Sequence, residues 1–387
     1  MKLSSQIQIP PSATLAMNAL AAEKKKNGET VYNLTVGEPM ISTPDVIVHA
    51  AHQAMQDGKT LYTPAAGIPE LREAAAELMR SSFASSYTKQ NAIVTCGGKH
   101  GLLMTLQALL EPQDEVLIVA PYWVSYPSMV TLCGGVAKTL VTTEEHNWKI
   151  KPEDIAGACS SQTKILIFNN GGNPTGVLYT REEMKSILKV AADKNLIVIS
   201  DEVYSGLVYD KQEFVSVSSF PEYKESSVII QSCSKHFAMT GWRVGFVFGP
   251  ENLISTLETL QSQSTTGTSS ISQWAALAAV QNASTLIPDI QTEMQKRRDA
   301  FVRNFKKYFD TDILIPEAGL YAFIPMSSFG VQEKNSTAWC MKVLEEANVV
   351  FVPGAPFGMD GYVRASFGGK IEDVEAGLKQ LSEYLKN

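Results

Sequence analysis

The chain has 387 residues, of which 44% are hydrophobic and 19% charged, and its formal net charge at pH 7 is −7. This composition is typical of a globular protein, and the length favours two domains, one large and one smaller. The acidic balance argues against nucleic acid as the main partner, because phosphate binding needs a basic surface. No apolar run in the sequence approaches the roughly 18 residues that span a membrane, so no membrane partner is predicted.

The N-terminal segment and the cysteines indicate the compartment. The first residues lack a continuous apolar core, which predicts a mature N-terminus rather than a signal peptide. Five cysteines are scattered without a C-x-x-C pair, and such a set predicts free thiols in the cytoplasm. His49 and His52 form the one close histidine pair of the sequence, with no further ligand type beside it, so no metal site is predicted.

Short β-branched runs alternate with helical patterns through the first two thirds of the chain. The runs are at 92–96, 115–120, 136–141, 164–169, 196–200, 228–231 and 244–248. Between them, segments such as 181–194 carry apolar residues at the spacing of an amphipathic helix. Strands that are apolar throughout and separated by helices predict a mainly parallel sheet covered on both faces, which is the α/β class.

The pattern changes near Pro288. A charged helix is predicted at 293–309, followed by short strands at 321–325, 349–352 and 362–367 and a last helix at 371–385. We therefore predict a large domain of residues 45–287 and a smaller α+β domain made of residues 1–44 and 288–387. Ligands of parallel sheets bind at the carboxyl ends of the strands, so the residues after each run are the candidates for chemistry.

The segment SCSKHFAMTGWRVG places Lys235 just after a predicted strand. A lysine that attacks a carbonyl group must spend time as the neutral amine, although its ordinary pKa is about 10.4. Arg243 can supply the positive charge that favours the neutral amine and can bind a phosphate, and Ser232 and Ser234 add hydroxyl donors. A surface lysine on a turn fits this segment equally well. The S-x-x-K motif of penicillin-binding proteins does not, because the S-D-N and K-T-G elements are missing.

The segment IVISDEVY ends a buried strand with an acidic pair. Asp201 then lies at the carboxyl edge of the sheet, where it can cap a helix, bind magnesium or, beside a lysine Schiff base, keep a pyridine nitrogen protonated. Tyr204 can donate to the phenolic oxygen of the same ring. From this segment alone the structural and the chemical interpretations both stay open.

The segment FNNGGNPTG superficially resembles a phosphate-binding P-loop. Val177 stands where that motif requires lysine, so this interpretation fails. Asn173 instead offers a side-chain amide at a strand end, and the bond between Asn173 and Pro174 is a candidate cis peptide.

Three further residues are candidates for binding. In VTCGGKHG a strand runs into a helix, so the backbone N–H groups of Gly98 and Lys99 can bind an anion, although many strand–helix turns look alike. Trp123 follows a strand and can stack on a flat ring or simply fill the core. Arg364 lies within a strand and needs a carboxylate partner, either structural or from a substrate.

Together these motifs resemble the class I aminotransferases, and within them the bacterial aspartate aminotransferase branch. The resemblance runs from Pro11 to Arg364 and is carried by YTPAAGIPELR from Tyr62, Gly98-Lys99, Pro121-Tyr-Trp123, Asn173-Pro-Thr-Gly, Asp201-Glu-Val-Tyr204, Ser232-x-Ser-Lys235 with Arg243, and Arg364. It implies the type I pyridoxal-phosphate-dependent transferase fold, in which helices flank a mainly parallel sheet and a smaller α+β domain is attached. It also implies a homodimer with the active site at the subunit interface.

The resemblance further implies pyridoxal 5'-phosphate as cofactor and a role for each residue. Lys235 is the catalytic residue, which forms the Schiff base and shuttles the proton. The cofactor ring is held by Asp201 at its nitrogen, by Tyr204 and Asn173 at its phenolic oxygen, and by Trp123 at its face. The phosphate is held by Gly98, Lys99, Ser232, Ser234 and Arg243, with Tyr62 reaching it from the neighbouring subunit. The substrate is held by Arg364 at its α-carboxylate, with Gly37, Trp123, Asn173, Lys99 and Thr14 around it. Cis bonds are implied before Pro121 and Pro174.

The substrates implied are an amino acid and a 2-oxo acid. A lysine at position 99 is associated in this branch with an acidic substrate side chain, with the Thr14 region closing over it, which favours transfer from L-aspartate to 2-oxoglutarate. Alternatively, Lys99 only lines the phosphate turn, and the enzyme takes prephenate or aromatic amino acids or is a β-lyase. A non-catalytic regulatory protein is a further alternative, against which the presence of Lys235 argues. Two departures from the family pattern are the Asn170-Gly171-Gly172 segment, which we expect to loosen its loop, and His100.

Overall fold

The computed structural model of the chain describes residue 9 and residues 13–386. Pro11, where the resemblance begins, and the predicted mature N-terminus lie outside this part of the chain. Within it, no helix is long and apolar enough to cross a membrane. The five cysteines all lie within it and are free thiols.

Helices and strands alternate through the first 250 residues, and helices dominate afterwards. The helices of the described residues are α1 (Ala13–Lys26), α2 (Asp45–Gln56), α3 (Pro69–Phe83), α4 (Gly98–Leu109), α5 (Tyr126–Leu132), α6 (Pro152–Ala158), α7 (Arg181–Asp193), α8 (Cys233–His236), α9 (Glu251–Ser264), α10 (Ser270–Gln281), α11 (Ala283–Phe309), α12 (Ser336–Ala347) and α13 (Ile371–Lys386). The strands are β1 (Tyr32–Asn33), β2 (Ala92–Thr95), β3 (Glu115–Ala120), β4 (Val136–Val141), β5 (Thr163–Asn169), β6 (Ile197–Asp201), β7 (Ser227–Ser232), β8 (Gly245–Phe248), β9 (Tyr321–Pro325), β10 (Val349–Val350), β11 (Val352–Pro353) and β12 (Tyr362–Ser366).

Seven strands form the central sheet, in the order β2-β8-β7-β6-β5-β3-β4. The neighbours from β7 to β4 are parallel, and β8 is antiparallel to both β7 and β2. The mainly parallel sheet flanked by helices is therefore confirmed, and each of its seven predicted strands is present with ends that differ by at most one residue.

The burial of the strands explains why their sequences could be recognised. Every residue of β2 and β7 is buried, whereas the edge strand β4 is largely exposed. A strand with helices on both faces must be apolar along its whole length, since neither side meets water. Side chains such as Leu117, Phe168 and Val198 form what we call the central core around this sheet.

A second, smaller sheet is antiparallel, in the order β11-β12-β9, and β1 pairs in parallel with β10 beside it. Its smaller core includes Phe301, Phe351 and Leu378. The single strand predicted at 349–352 is wrong, because the chain changes partner there. β10 pairs with β1 and β11 pairs with β12, and the fully buried Phe351 lies between them and packs on Phe329 and Trp339.

Helix α11 joins the two cores. It ends at Phe309 as predicted but begins at Ala283 rather than at residue 293. Leu286 and Ile287 pack on the central core, and Ile290 is buried in the smaller core. Pro288, at which the sequence pattern changes, lies inside this continuous helix, and so does the predicted boundary between residues 287 and 288. The division of the chain into domains stays a prediction.

Candidate functional site

A cavity of about 480 Å³ opens at the carboxyl ends of the central strands, and we call it the site cavity. β5 ends at Asn169, β6 at Asp201 and β7 at Ser232, and all three residues line this cavity. It therefore lies where a parallel sheet with helices on both faces collects its ligands.

Nearly all residues that the sequence singled out meet in the site cavity. They are Thr14, Gly37, Gly98, Lys99, Trp123, Asn173, Asp201, Tyr204, Ser232, Ser234, Lys235, Arg243 and Arg364. Tyr62 is the exception, because its side chain is 93% exposed and lines a separate cleft with residues 265–271. Within one chain the structure does not bring Tyr62 to the other predicted residues.

Lys235 lies on the short helix α8, directly after β7. The Ser232 hydroxyl accepts a hydrogen bond from the backbone N–H of Ser234 at 3.1 Å and so caps α8. The Lys235 ammonium group donates to the carbonyl oxygen of Gly37. Burial is the main cause that lowers the pKa of Lys235. Tyr321 and Glu38 oppose this effect, and the positive charges of Arg364 and Arg243 add to it. A lysine with a lowered pKa at a cavity wall is suited to act as a nucleophile and as a base.

The carboxylate of Asp201 is buried at the end of β6. The Tyr126 hydroxyl donates to Oδ2 at 2.7 Å, and the backbone N–H of Val203 donates to Oδ1 at 3.3 Å. Burial raises the pKa of Asp201 to about 6, although these hydrogen bonds and the charge of Lys235 oppose the effect. Such a carboxyl group is suited to pair with a protonated ring nitrogen. Tyr126 was not among the predicted residues, although it stands three residues after Trp123 in the same segment.

Two asparagines link the strand ends. The Asn169 side chain accepts a hydrogen bond from the backbone N–H of Asn173 at 3.0 Å and donates to the carbonyl oxygen of Asp201 at 2.8 Å. The peptide bonds before Pro121 and Pro174 are cis, as predicted. Asn169, which was not predicted, thus fixes the backbone of Asn173 against the end of β6.

The expected loosening of the loop around residue 171 is not seen. Asn170 is fully buried, donates to the carbonyl oxygen of Val215 at 2.9 Å and accepts from the backbone N–H of Tyr179 at 3.0 Å. A Cβ atom at Gly172 would collide with the side chain of Asn169. The glycine is therefore required by the asparagine that packs beneath it, and the loop is held at both ends.

Arg364 projects from β12 of the smaller sheet and is 2% exposed. Its Nη1 donates to Asn173 Oδ1 at 3.0 Å, and its Nη2 donates to the carbonyl oxygen of Thr35 at 2.9 Å. The guanidinium group lies 4.1 Å from the centre of the Tyr321 ring, and its Nε is buried without a hydrogen-bond partner. Among the described residues no carboxylate forms an ion pair with Arg364. A buried cation that lacks an anion is suited to bind one.

A second positive region lies where α4 begins. Gly97 precedes the helix with φ +84°, and the Arg243 guanidinium packs where a Cβ atom of residue 97 would stand. The Lys99 ammonium group lies 4.8 Å from the centre of the Trp123 ring. Partial burial lowers the pKa of Lys99, and the charge of Arg243 adds to this. Neither cation forms an ion pair with any described residue, so both are available to an anionic ligand.

Tyr204 meets a tyrosine that was not predicted. Its hydroxyl donates to the Tyr321 hydroxyl at 3.2 Å, and both side chains are buried. Burial is the main cause that raises the pKa of Tyr204. Tyr321 begins β9 and has the sequence pattern of an ordinary core aromatic, so no signal separated it from one.

Two remaining points concern metal-binding side chains and His100. No group of three or more His, Cys, Asp or Glu side chains in residues 13–386 is placed to hold a metal ion. His100 lies on α4, where its Nδ1 is 3.4 Å from the backbone N–H of Cys96, and burial lowers its pKa.

Known proteins resemble this chain along its whole length. The family model of aminotransferase class I and II matches residues 29–381. The aspartate/prephenate aminotransferase of Thermus thermophilus is 36% identical over 386 residues, which cover 99% of this chain and 98% of that protein. The aspartate aminotransferase of Bacillus subtilis is 34% identical, and the match covers 100% of this chain and 99% of that protein. The solved structure of the Thermus thermophilus aspartate aminotransferase with maleate superposes with a TM-score of 0.94 at 35% identity, and 99% of each chain is covered.

Proposed function

This chain belongs to the class I and II aminotransferase family, and from that premise we propose that it transfers the amino group of L-aspartate to 2-oxoglutarate, with pyridoxal 5'-phosphate bound as a Schiff base on Lys235. The observation that carries the proposal is a set of cations without anionic partners in the site cavity, namely Lys99, Arg243 and Arg364, arranged around Lys235. An anionic cofactor and a dicarboxylic substrate supply the charges that this set lacks.

The residues of the cavity fit pyridoxal phosphate. Asp201 has the raised pKa of a buried acid, which a protonated ring nitrogen beside it would lower again. Tyr204 and Asn173 are proposed to hold the phenolic oxygen, and Trp123 the ring face. The start of α4 and the cation of Arg243 suit the phosphate, because helix N-termini and guanidinium groups both bind such anions. When bound, the cofactor supplies an electron sink for the substrate.

Lys235 is proposed as the group that moves the proton. Its lowered pKa favours a neutral amine. Nζ can then take the proton from the substrate Cα and return it to another carbon of the substrate–cofactor pair. The Gly37 carbonyl oxygen accepts from Lys235 Nζ and can hold this group in place when it is not joined to the cofactor.

Two residues are proposed to bind the carboxylates of the substrate. Arg364 is fixed by Asn173 and Thr35 and takes the α-carboxylate, which satisfies its buried Nε. Lys99 takes the side-chain carboxylate, and Thr14 on α1 lines the same cavity. A lysine that forms no ion pair within the protein favours an acidic side chain over a neutral one.

A second candidate substrate is prephenate. Relatives from Thermus thermophilus and Thermus aquaticus are named aspartate/prephenate aminotransferase or probable aspartate/prephenate aminotransferase, and prephenate also carries two carboxylates. Aromatic amino acids fit less well, because they carry no second carboxylate that Lys99 could bind.

We also propose a homodimer in which Tyr62 reaches the neighbouring active site. Leu61 and Tyr62 are neighbours in the sequence, are 80% and 93% exposed and line the same cleft, and adjacent exposed apolar side chains suit an interface. The free cysteines support a cytoplasmic location. We retain the division into residues 45–287 and the combined residues 1–44 and 288–387 as a proposal, with α11 crossing between them.

The test is a spectrum of the protein purified with pyridoxal phosphate, recorded before and after L-aspartate and then L-phenylalanine, without any 2-oxo acid. We expect L-aspartate to convert the visible band to that of the pyridoxamine form and to yield oxaloacetate. A response to L-phenylalanine alone would keep the aminotransferase and refute the role of Lys99. A protein that takes up no cofactor, and that Lys235→Ala leaves unchanged, would refute the proposal as a whole.

A further inference from the structure

Tyr321 lines the site cavity and has not yet been given a role. It is 2% exposed at the start of β9. Its hydroxyl lies 3.2 Å from the Tyr204 hydroxyl, and a Cβ atom on Gly37 would be 3.3 Å from the same oxygen. Its ring faces the guanidinium group of Arg364. One side chain from the smaller sheet thus contacts the residues proposed to hold the cofactor and the substrate.

We propose that Tyr321 is a positioning residue with two separable functions: its ring holds Arg364 for the substrate carboxylate, and its hydroxyl directs the hydrogen of Tyr204 toward the cofactor. This inference rests on the proposed aminotransferase function and concerns the same cavity.

The ring function follows from how Arg364 is held. Nη1 donates one hydrogen bond to Asn173, and Nη2 donates one to Thr35. Nε has no hydrogen-bond partner among the described residues. The Tyr321 ring at 4.1 Å is the closer of two aromatic faces, with Phe357 at 5.3 Å. A ring face attracts a guanidinium cation without using any of its hydrogens. The ring therefore fixes the plane of Arg364 and leaves the remaining N–H groups for a carboxylate.

The hydroxyl function follows from counting hydrogens. A tyrosine hydroxyl has one hydrogen to donate and lone pairs that accept. Within the described residues Tyr204 donates its hydrogen to Tyr321. When Tyr204 donates to the phenolic oxygen of the cofactor instead, the contact can persist only if Tyr321 becomes the donor. A hydroxyl that accepts a hydrogen bond is itself a stronger donor, so Tyr321 strengthens the contact of Tyr204 with the cofactor.

Removal of this hydroxyl should shift the midpoint pH of the visible band, measured on protein loaded with pyridoxal phosphate, in a predictable direction. A phenolic oxygen that receives a weaker hydrogen bond keeps more negative charge and holds the nearby proton of the chromophore to higher pH. Besides Tyr321 itself, the titratable and charged groups that line this cavity are Glu38, Lys99, Tyr126, Asp201, Tyr204, Lys235, Arg243 and Arg364. A conservative change at Tyr321 leaves all of them in place.

The experiment compares Tyr321→Phe and Tyr321→Leu with the matched control Tyr209→Phe. Tyr209 is another fully buried tyrosine, but its hydroxyl donates to the carbonyl oxygen of Gly319 and it does not line the site cavity. Two quantities are measured on protein loaded with pyridoxal phosphate: the midpoint pH of the visible band, and the dissociation constant of succinate, an unreactive dicarboxylate.

We expect Tyr321→Phe to raise the midpoint by roughly a few tenths of a pH unit, as a partial loss of one hydrogen bond requires, and to bind succinate within about twofold of the parent. Tyr321→Leu loses the ring as well and should bind succinate roughly 3- to 30-fold more weakly, the usual range of a cation–π contact. Tyr209→Phe should change neither quantity.

The outcomes separate the two functions and the premise. A midpoint in Tyr321→Phe equal to that of Tyr209→Phe would overturn the hydroxyl function. Parent-like succinate binding by Tyr321→Leu would overturn the ring function. If the parent protein itself shows no visible band with pyridoxal phosphate, the proposed aminotransferase function fails, and this inference fails with it.

Discussion

Replacement of Lys99 by methionine is the sharpest test of substrate choice. The change removes the charge and keeps an unbranched side chain of similar length at the start of α4. Lys99 forms no ion pair with a described residue, so its loss leaves no unpaired carboxylate behind in the protein. Any loss of activity then reports on the ligand.

The size of the effect can be estimated from the setting of Lys99. A hydrogen bond between charged groups contributes about 1.5–3 kcal/mol when buried. Lys99 is only partly buried, so solvent screening reduces the expected contribution to about 1–2 kcal/mol. That range corresponds to a loss of roughly 5- to 30-fold in kcat/KM for L-aspartate.

The assay compares L-aspartate with L-phenylalanine at saturating 2-oxo acid, and measures pyridoxal phosphate affinity in parallel. Lys189→Met serves as the control, since Lys189 on α7 is exposed, forms no ion pair with a described residue and lies outside the site cavity. We expect the loss to be confined to L-aspartate. Equal losses with both amino acids, together with weaker cofactor binding, would show that Lys99 only lines the phosphate turn and would refute the reasoning.

Three further results are expected. Tyr126→Phe removes a hydrogen bond that lowers the pKa of Asp201, so the pH midpoint for pyridoxal phosphate binding should rise above about 6. The dissociation constant of pyridoxal phosphate measured against pH checks this, and an unshifted midpoint would contradict it. Gly172→Ala should reduce the free energy of unfolding by about 1–3 kcal/mol, because the new Cβ atom overpacks against Asn169. Gly157→Ala, in open space on α6, should not reduce it. Denaturant unfolding compares the two variants, and equal stabilities would contradict the collision with Asn169. In the cofactor-free protein, acylation of Lys235 followed by mass spectrometry should have a pH midpoint below the ordinary value near 10.5, and a midpoint at or above that value would contradict the lowered pKa.

The raised pKa of Asp201 also fixes the sign of a stability effect. Its folded-state pKa of about 6 lies above the ordinary value of 3.8, so the folded protein binds a proton more tightly than the unfolded chain does. For this group, the cofactor-free protein loses stability as pH rises from about 4 to 6. A protonated ring nitrogen next to the carboxylate offsets that loss.

Much of the site could be predicted because its residues stand where apolar runs end. The runs before Asp201 and Lys235 are buried on both faces, so their sequences are apolar throughout and their ends are easy to locate. The polar residues that follow then had to lie at one edge of one sheet. Asn173 and Arg364 were also singled out by their places in or after predicted strands, but the roles given to them followed from the family resemblance.

The residues that escaped prediction are those whose sequence context is ordinary. Tyr126 and Tyr321 look like core aromatics, and only the fold shows that their hydroxyls meet Asp201 and Tyr204. The break at Phe351 was missed because apolar residues on both sides continue one run, although their hydrogen-bond partners differ. The early start of α11 was missed because Pro288 suggested a boundary inside a helix that continues through it.

The residue proposed to carry the cofactor and the residue proposed to bind the substrate α-carboxylate belong to different parts of the molecule. Lys235 follows a strand of the central sheet, whereas Arg364 lies on a strand of the smaller one, and α11 is a covalent connection between the two cores. If the cofactor is held by Lys235 and a dicarboxylate by Arg364, as proposed, the two ligands together form a non-covalent connection between the two sheets. By mass action, such ligands stabilise the arrangement in which the two cores are packed together over arrangements in which they separate. Substrate should therefore protect the amides around Ile290, in the middle of the connecting helix, from hydrogen exchange more than the cofactor alone does.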